Sequence, residues 1–298
     1  MAGPTTPPPE DQSVWQYNPS LALAILASIL YGIIFLVIFY QTFIKYRSWY
    51  FTCVVVGAGV EVAGYALRCH SIRNPSQVAP FATTLSLIVL APILISAGNY
   101  LLLGRMIRSI LLREHYKIAP GLPAHRITRI FVISDILSGM VQSSGSGVAS
   151  SDNWTGPNLK VGINILIGGL GLQAVSFVLF MSLLGRFHYL ARREAMADAP
   201  RDWRKLLRAV YISSAMILIR CIFRAAEFGE GVDGYSFRHE WLFWVFEAVP
   251  MLVAISVFCV HHPSAVLGRD GGGKRTSSDE EEGEELEARR RRHRKTRS

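Results

Sequence analysis

The sequence predicts an all-α integral membrane protein with seven transmembrane helices, its N-terminus outside or lumenal and its C-terminus cytoplasmic. Two observations carry this reading. Seven apolar runs, at residues 21–40, 49–67, 81–103, 127–149, 161–184, 206–223 and 241–260, each come close to the ~20 residues a helix needs to cross a bilayer. Basic residues collect in alternate connections: two follow the first run, six the third, seven the fifth and ten the seventh, together 25 of the 31 Lys and Arg. The even connections hold only Arg68, Arg73, Lys160 and Arg238, and the N-terminal tail holds none. The positive-inside rule then sets the orientation. The net charge of +9 is accounted for by topology and a basic tail, so it does not point to a nucleic-acid partner.

Residues 1–20 form a short external tail, proline-containing, with Glu10 and Asp11 and no basic segment ahead of the first run. It does not read as a cleaved signal peptide, so the first run is expected to stay as a span. In the second span Glu61, Tyr65 and Arg68 are spaced four and three apart and share one helical face. The third holds Pro92 and Asn99, the fourth Asp135 and Gln142, the fifth Asn164 and Gln173. Gly139, Ser143 and Gly147 recur every four residues in the fourth span and predict a small-residue stripe for close helix approach, with Gly168, Gly169 and Gly171 of the fifth in a similar role. Arg220, Arg224 and Glu227 again share a face in the sixth span. The seventh carries Glu247, and Pro250 there, like Pro92, is expected to kink its helix.

Asn153-Trp154-Thr155 is a glycosylation sequon in a connection the charge rule places outside, whereas Asn18-Pro19-Ser20 and Asn74-Pro75-Ser76 are blocked by proline. The four cysteines, Cys53, Cys69, Cys221 and Cys259, lack metal-ligand spacing. They read as small apolar packing groups, with a Cys69–Cys221 bridge as the alternative. The seven-helix domain is expected to cover residues 21–262. Residues 263–298 read as a disordered cytoplasmic tail, acidic around Asp279–Glu285 and basic from Arg289 to Lys295, because such blocks bury no apolar area. The tail is either simply solvated or drawn to the anionic inner leaflet, with Ser277 and Ser278 as phosphorylation candidates. The stretch from Gly268 to Lys274 lacks the Ser or Thr of a phosphate-binding loop, Arg275 standing there instead. No nucleotide-driven pumping is therefore expected.

Ionisable side chains inside a bilayer are costly, and each raises a functional question. Glu61, Arg68, Arg220, Arg224, Glu227 and Glu247 all fall at one level, in the outer half of the membrane or at its outer rim. They predict an ion-paired cluster joining spans two, six and seven, which either locks the helices or forms a substrate or proton site. Asp135 has no cation in its own span. It is satisfied by Asn99 and neighbouring hydroxyls, is protonated, or borders a wet cavity.

Taken together these positions are similar to a known family, the fungal lipid-translocating exporters, or RTA-like proteins, from about Leu21 to Pro263. The motifs are Glu61-x-x-Gly64-Tyr65-x-x-Arg68; Ala91-Pro92 with Ala97, Tyr100 and Gly104-Arg105; Asp135, Ser138, Gln142 and Gly145-x-Gly147; Gly169 with Gln173; Arg220-x-x-Phe223-Arg224-x-x-Glu227; and His239-Glu240-Trp241, Pro250-Met251 and His262-Pro263. Three positions depart from the pattern: Glu247 where Asp is expected, Trp244 for Tyr, and Ser264 for Gly. The resemblance implies a seven-helix protein of fungal membranes that releases or translocates sphingoid long-chain bases or other toxic amphiphiles, with a link to stress or drug resistance. A porphyrin or haem branch also exists, and some members regulate lipid asymmetry. Its implied partners are membrane lipids and an amphiphilic small molecule, with no cofactor. The polar pathway would comprise Glu61, Tyr65, Arg68, Asn99, Asp135, Gln142, Gln173, Arg220, Arg224, Glu227 and Glu247. The plasma membrane is the preferred address, with vacuolar or endoplasmic reticulum membrane as alternatives.

The main competing reading is a seven-helix lipid-sensing receptor or regulator of lipid asymmetry. The third span ends in Gly104-Arg105-Met106 and the seventh lacks an Asn-Pro-x-x-Tyr sequence, so common receptor motifs are missing. A seven-helix zinc hydrolase would need several histidines facing one cavity. Here His261 and His262 are expected at one membrane face and His70 and His239 at the other, so no enzyme is expected.

Overall fold

In the computed structural model, residues 19–74, 77–110, 124–151, 158–194, 202–231 and 234–267 are described. They are helical almost throughout. The long helices are α1 (Leu21–Phe39), α2 (Thr52–Arg73), α3 (Val78–Ile110), α4 (Ala124–Ser151), α5 (Asn158–Glu194), α6 (Trp203–Glu230) and a composite α7 built from Glu240–Phe243, Trp244–Ala248 and Val249–Val260. Six segments are long and apolar enough to cross a membrane, and α4 is not among them. The reason is its sequence: Asp135, Ser138 and Gln142, which turn inward, and a run of serines and glycines lower its hydropathy.

Each helix packs on the next in chain order, and α7 returns to α1 and closes the bundle. α3 sits centrally, touching α2, α4, α5 and α6. The outward face of α1 is apolar, with Leu26, Ile29, Ile33 and Leu36 exposed, as a lipid-facing surface requires. Between helices in lipid, association rests on close van der Waals approach and interhelical hydrogen bonds, not on apolar transfer.

That approach is tightest between α4 and α5, and it does not use the stripe expected from the sequence. A Cβ added to Gly145 would lie 2.8 Å from the Gly162 carbonyl oxygen and 2.8 Å from the Leu166 amide nitrogen, and one added to Gly162 would lie 2.7 Å from the Ala149 amide nitrogen. Gly169 is pressed against Gln142 in the same way, at 2.7 Å. By contrast a Cβ added to Gly147, Gly168 or Gly171 would meet no neighbouring helix within 4 Å among the described residues, and one added to Gly139 would meet Ile93 of α3. Residues 138, 142, 145 and 149, spaced four, three and four apart, follow the 3.6-residue repeat. A strict four-residue repeat drifts off the contact. We therefore expect Gly162→Ala to destabilise the purified protein by about 1–3 kcal/mol through overpacking, read as a lowered thermal midpoint, while Gly168→Ala leaves the midpoint in place. Equal midpoints for both variants would contradict this packing.

Two π-helical turns interrupt the helices. One, Tyr40–Lys45, ends α1, and Tyr46 N–H bonds the Gln41 carbonyl at 2.9 Å. The other, Trp244–Ala248, lies directly before Pro250 and contains Glu247. Such turns are frequent at functional sites, and this one precedes Pro250, where the sequence predicts a kink. At the end of the bundle where α1 finishes, His262 stacks on Tyr46 with centroids 4.8 Å apart and pairs with the Thr42 hydroxyl at 3.2 Å. The Tyr50 hydroxyl meets Ser264 at 2.8 Å. Pro263–Leu267, the first five residues of the segment read as tail, form a short helix against α3 and α6. The rest of the tail, the N-terminal segment before Pro19 and the Asn153 sequon lie outside the described residues. The four cysteines are free; Cys221 is buried and Cys69 lies beside the Ser28 hydroxyl.

Candidate functional site

Helical register brings the expected charges together at the end of the bundle where α2 and α6 finish and α7 begins. Glu61, Tyr65 and Arg68 lie on the buried face of α2, and Arg220, Arg224 and Glu227 on that of α6. Glu247 is the hub. Its Oε1 accepts from Arg220 Nη2 at 3.0 Å and from Arg224 Nη2 at 2.6 Å, and its Oε2 pairs with Arg224 Nε. Arg224 also donates to Glu227 at 2.8 Å, and Arg220 to the Ile88 carbonyl of α3 at 2.8 Å. The network thus ties α3, α6 and α7, with every member at most 6 % exposed. Charges desolvated to this degree persist only when paired.

Arg68 is held separately. Its guanidinium lies 4.2 Å above the Phe243 ring and forms an ion pair of 3.6 Å with Glu240, an acid at the mouth of α7 that span-by-span counting leaves out. Glu240 in turn accepts the Ser20 amide N–H at 2.9 Å and so anchors the start of α1. Tyr65 stacks between Tyr31 of α1, at 4.9 Å, and Trp244, at 6.0 Å. The Tyr31 hydroxyl donates to the Ala248 carbonyl at 2.7 Å, within the π-helical turn. Tyr31 carries no charge and sits in the most apolar run, so nothing in the sequence signals it.

The exception in the cluster is Glu61. It is wholly buried, lies within electrostatic range of Arg220, Arg224 and Glu247, and neither of its oxygens has a hydrogen-bond partner among the described residues. Four carboxylates, Glu61, Glu227, Glu240 and Glu247, meet three guanidiniums, and the odd one is Glu61.

The remaining polar residues form a second group. Asp135 Oδ2 accepts from the Ser96 hydroxyl at 2.6 Å and the Tyr100 hydroxyl at 2.8 Å. Asn99, one of the alternatives for satisfying it, instead donates to Ser213 and Ser214 of α6 at 3.1 and 3.3 Å. Asn99 and Ser96 lie three residues apart on α3, and the helix turn aims them at different neighbours. Asp135 is fully buried; both hydroxyls meet Oδ2, and Oδ1 has no hydrogen-bond partner among the described residues. Gln142 bridges the Ser138 hydroxyl at 2.8 Å and the Gln173 side chain at 3.1 Å across the α4–α5 seam.

A crevice between α3, α4, α5 and α6 links the two groups. It is lined by Ser86 of α3, by Gln142, Ser143 and Ser146 of α4, and by Arg224 and Phe228 of α6. Leu85, Val89, Leu166 and Phe228 supply its apolar lining. The serines and the glutamine offer hydroxyl and amide groups, and Arg224 is the entrance to the ion-pair network.

The RTA1 like protein family matches residues 54–270, which contain every member of both polar groups. The chain belongs to the RTA1-like family. Among its relatives, Protein RTM1 of Saccharomyces cerevisiae is 32 % identical over 74 % of this chain and 68 % of its own length. "Probable lipid transporter atnI" of Emericella nidulans is 28 % identical over 88 % of this chain and 70 % of its own. "Sphingoid long-chain base transporter RSB1" of Saccharomyces cerevisiae is 26 % identical over 82 % and 72 %. No solved structure matches this RTA1-like chain. The resemblance read from the motifs is thus borne out at the level of the family.

Proposed function

We propose that this RTA1-like protein moves a polar-headed amphiphile of the sphingoid-base type across a membrane, the headgroup entering through the crevice between α3, α4, α5 and α6. The observation that carries the proposal is that crevice: hydroxyl and amide groups set among apolar side chains, with Arg224 belonging both to its lining and to the buried ion-pair network, near which Glu61 has no hydrogen-bond partner among the described residues. A headgroup with hydroxyls and an ammonium matches both halves. The hydroxyls replace water at Gln142, Ser143 and Ser146, and the ammonium is drawn past Arg224 toward Glu61, while the hydrocarbon tail stays in lipid. The names of the relatives, a lipid transporter and a sphingoid-base transporter, agree with this chemistry.

In this reading all seven long helices span the bilayer. α4 is admitted because its polar residues face α3 and α5. The N-terminus lies outside and the basic tail in the cytoplasm, as the distribution of Lys and Arg favours, with the plasma membrane as the site of action. The charge network and the crevice then both lie toward the outer leaflet. The role is carriage, not catalysis.

Filling the crevice tests the entry route. In proteoliposomes, Ser146→Phe should slow transbilayer movement of a fluorescent sphingoid base by about tenfold or more, the scale of losing one or two headgroup hydrogen bonds, with the thermal midpoint held. Wild-type rates in a filled crevice would remove it from the pathway. Saturable binding without any movement would favour the receptor reading.

A further inference from the structure

At the opposite end of the bundle the last turns of α5 and the first turns of α6 enclose a cavity of about 510 Å³, lined by His188, Arg192, Arg204, Leu207, Arg208 and Tyr211. We infer that this is a binding site for the phosphate-bearing headgroup of an anionic lipid, separate from the translocation pathway.

Positive charge alone is expected in this connection, because basic residues flank spans for topological reasons. Convergence is not. Arg193 is turned away to the Tyr189 hydroxyl at 2.8 Å, and Lys205 pairs with Asp202 at 2.9 Å. Arg192, Arg204 and Arg208 instead come from two helices to one cavity, and no carboxylate among the described residues lies within 4.0 Å of any of them. All three are exposed, so they are not stabilising the interior. The first turns of α6 add the positive end of a 28-residue helix whose Asp202 cap makes no side-chain hydrogen bond. Three planar guanidiniums around a space of this size suit a dianionic or monoanionic phosphate ester, which can accept paired N–H donors from more than one arginine. Basic pockets between spanning helices at the membrane surface are a known way to hold such headgroups. Two details favour a lipid over free phosphate. The site lies in the last turns of α5, where basic residues follow its apolar stretch. Ile212, one turn along α6 from Arg208 and 42 % exposed, offers surface to an acyl chain.

The test uses the purified full-length protein in detergent with short-chain phosphatidic acid, short-chain phosphatidylcholine and inorganic phosphate as probes. Phosphatidic acid should bind saturably. The R192Q/R204Q/R208Q variant should bind it on the order of 100-fold more weakly, each arginine near a membrane surface being worth roughly five- to tenfold, while the triple Lys variant should recover more than half of that loss on a logarithmic scale. Phosphatidylcholine, whose phosphate is offset by its ammonium, should not compete. Weak competition by inorganic phosphate assigns the site to lipid; equally tight binding keeps the phosphate chemistry but assigns it to a soluble anion. Should the Gln variant aggregate, binding to the wild type must still weaken at least about tenfold from low salt to ~0.5 M salt. Equal binding by wild type and a folded Gln variant, or salt-independent binding, overturns the inference.

Discussion

Replacing Glu247 with Gln destabilises the bundle by about 3–5 kcal/mol, the range for breaking a buried ion pair by removing one partner. The effect is large because one carboxylate serves two guanidiniums. Without its charge, the hydrogen bonds left to these guanidiniums among the described residues are Arg220 to the Ile88 carbonyl and Arg224 to Glu227, and both stay buried. The thermal midpoint of the purified protein should fall by about 10 °C. Glu247→Asp retains the charge but shortens the reach, so one of the two arginine contacts is lost and the fall should be roughly half as large. The longer Glu, carried on a π-helical turn, reaches both arginines here. A Gln variant with the wild-type midpoint would mean that the pairs do not hold the helices.

The second large effect runs the opposite way. Glu61→Gln should leave stability unchanged or raised and still reduce translocation of a cationic amphiphile by about tenfold to 100-fold. Glu61 makes no hydrogen bond to the described residues of the chain, so neutralising it breaks none, and an amide of the same shape fills the same space. What is lost is a carboxyl group that can ionise against an arriving ammonium, and hydrogen bonds to a charged group are worth about 1.5–3 kcal/mol. The pair of variants separates the two roles a buried charge cluster can have: Glu247 as a lock, Glu61 as a receptor for the headgroup. Loss of stability on Glu61→Gln would place it with the lock.

Much of this arrangement is legible in the amino-acid sequence. Apolar run lengths locate the helices, although α3 and α5 extend past their apolar runs to Ile110 and Glu194, where flanking basic residues continue the helix into the interface. The spacing of Glu61, Tyr65 and Arg68, and of Arg220, Arg224 and Glu227, places each trio on one face, because helical register depends on spacing alone. Which acid pairs with which base is not legible. That depends on helix rotation and on the π-helical turn at Glu247, which repositions its carboxylate relative to a regular helix. Glu240 is recognisable as part of a motif, yet its ion pair with Arg68 is visible only once α2 and α7 are side by side. The α4–α5 contact through Gly145, Gly162 and Gly169 is obscured because glycine is abundant in both helices and only some of it faces the seam. The crevice, made by four helices, has no signature in any one of them.

In the proposed mechanism a headgroup travels through a protein path that ends at Glu61. The most direct test is transbilayer movement of a fluorescent sphingoid base in liposomes containing purified wild-type protein or the Glu61→Gln variant at matched amounts and matched thermal midpoints. The account predicts protein-dependent movement that drops by at least about tenfold in the variant. Wild-type movement in a folded Glu61→Gln protein would contradict it.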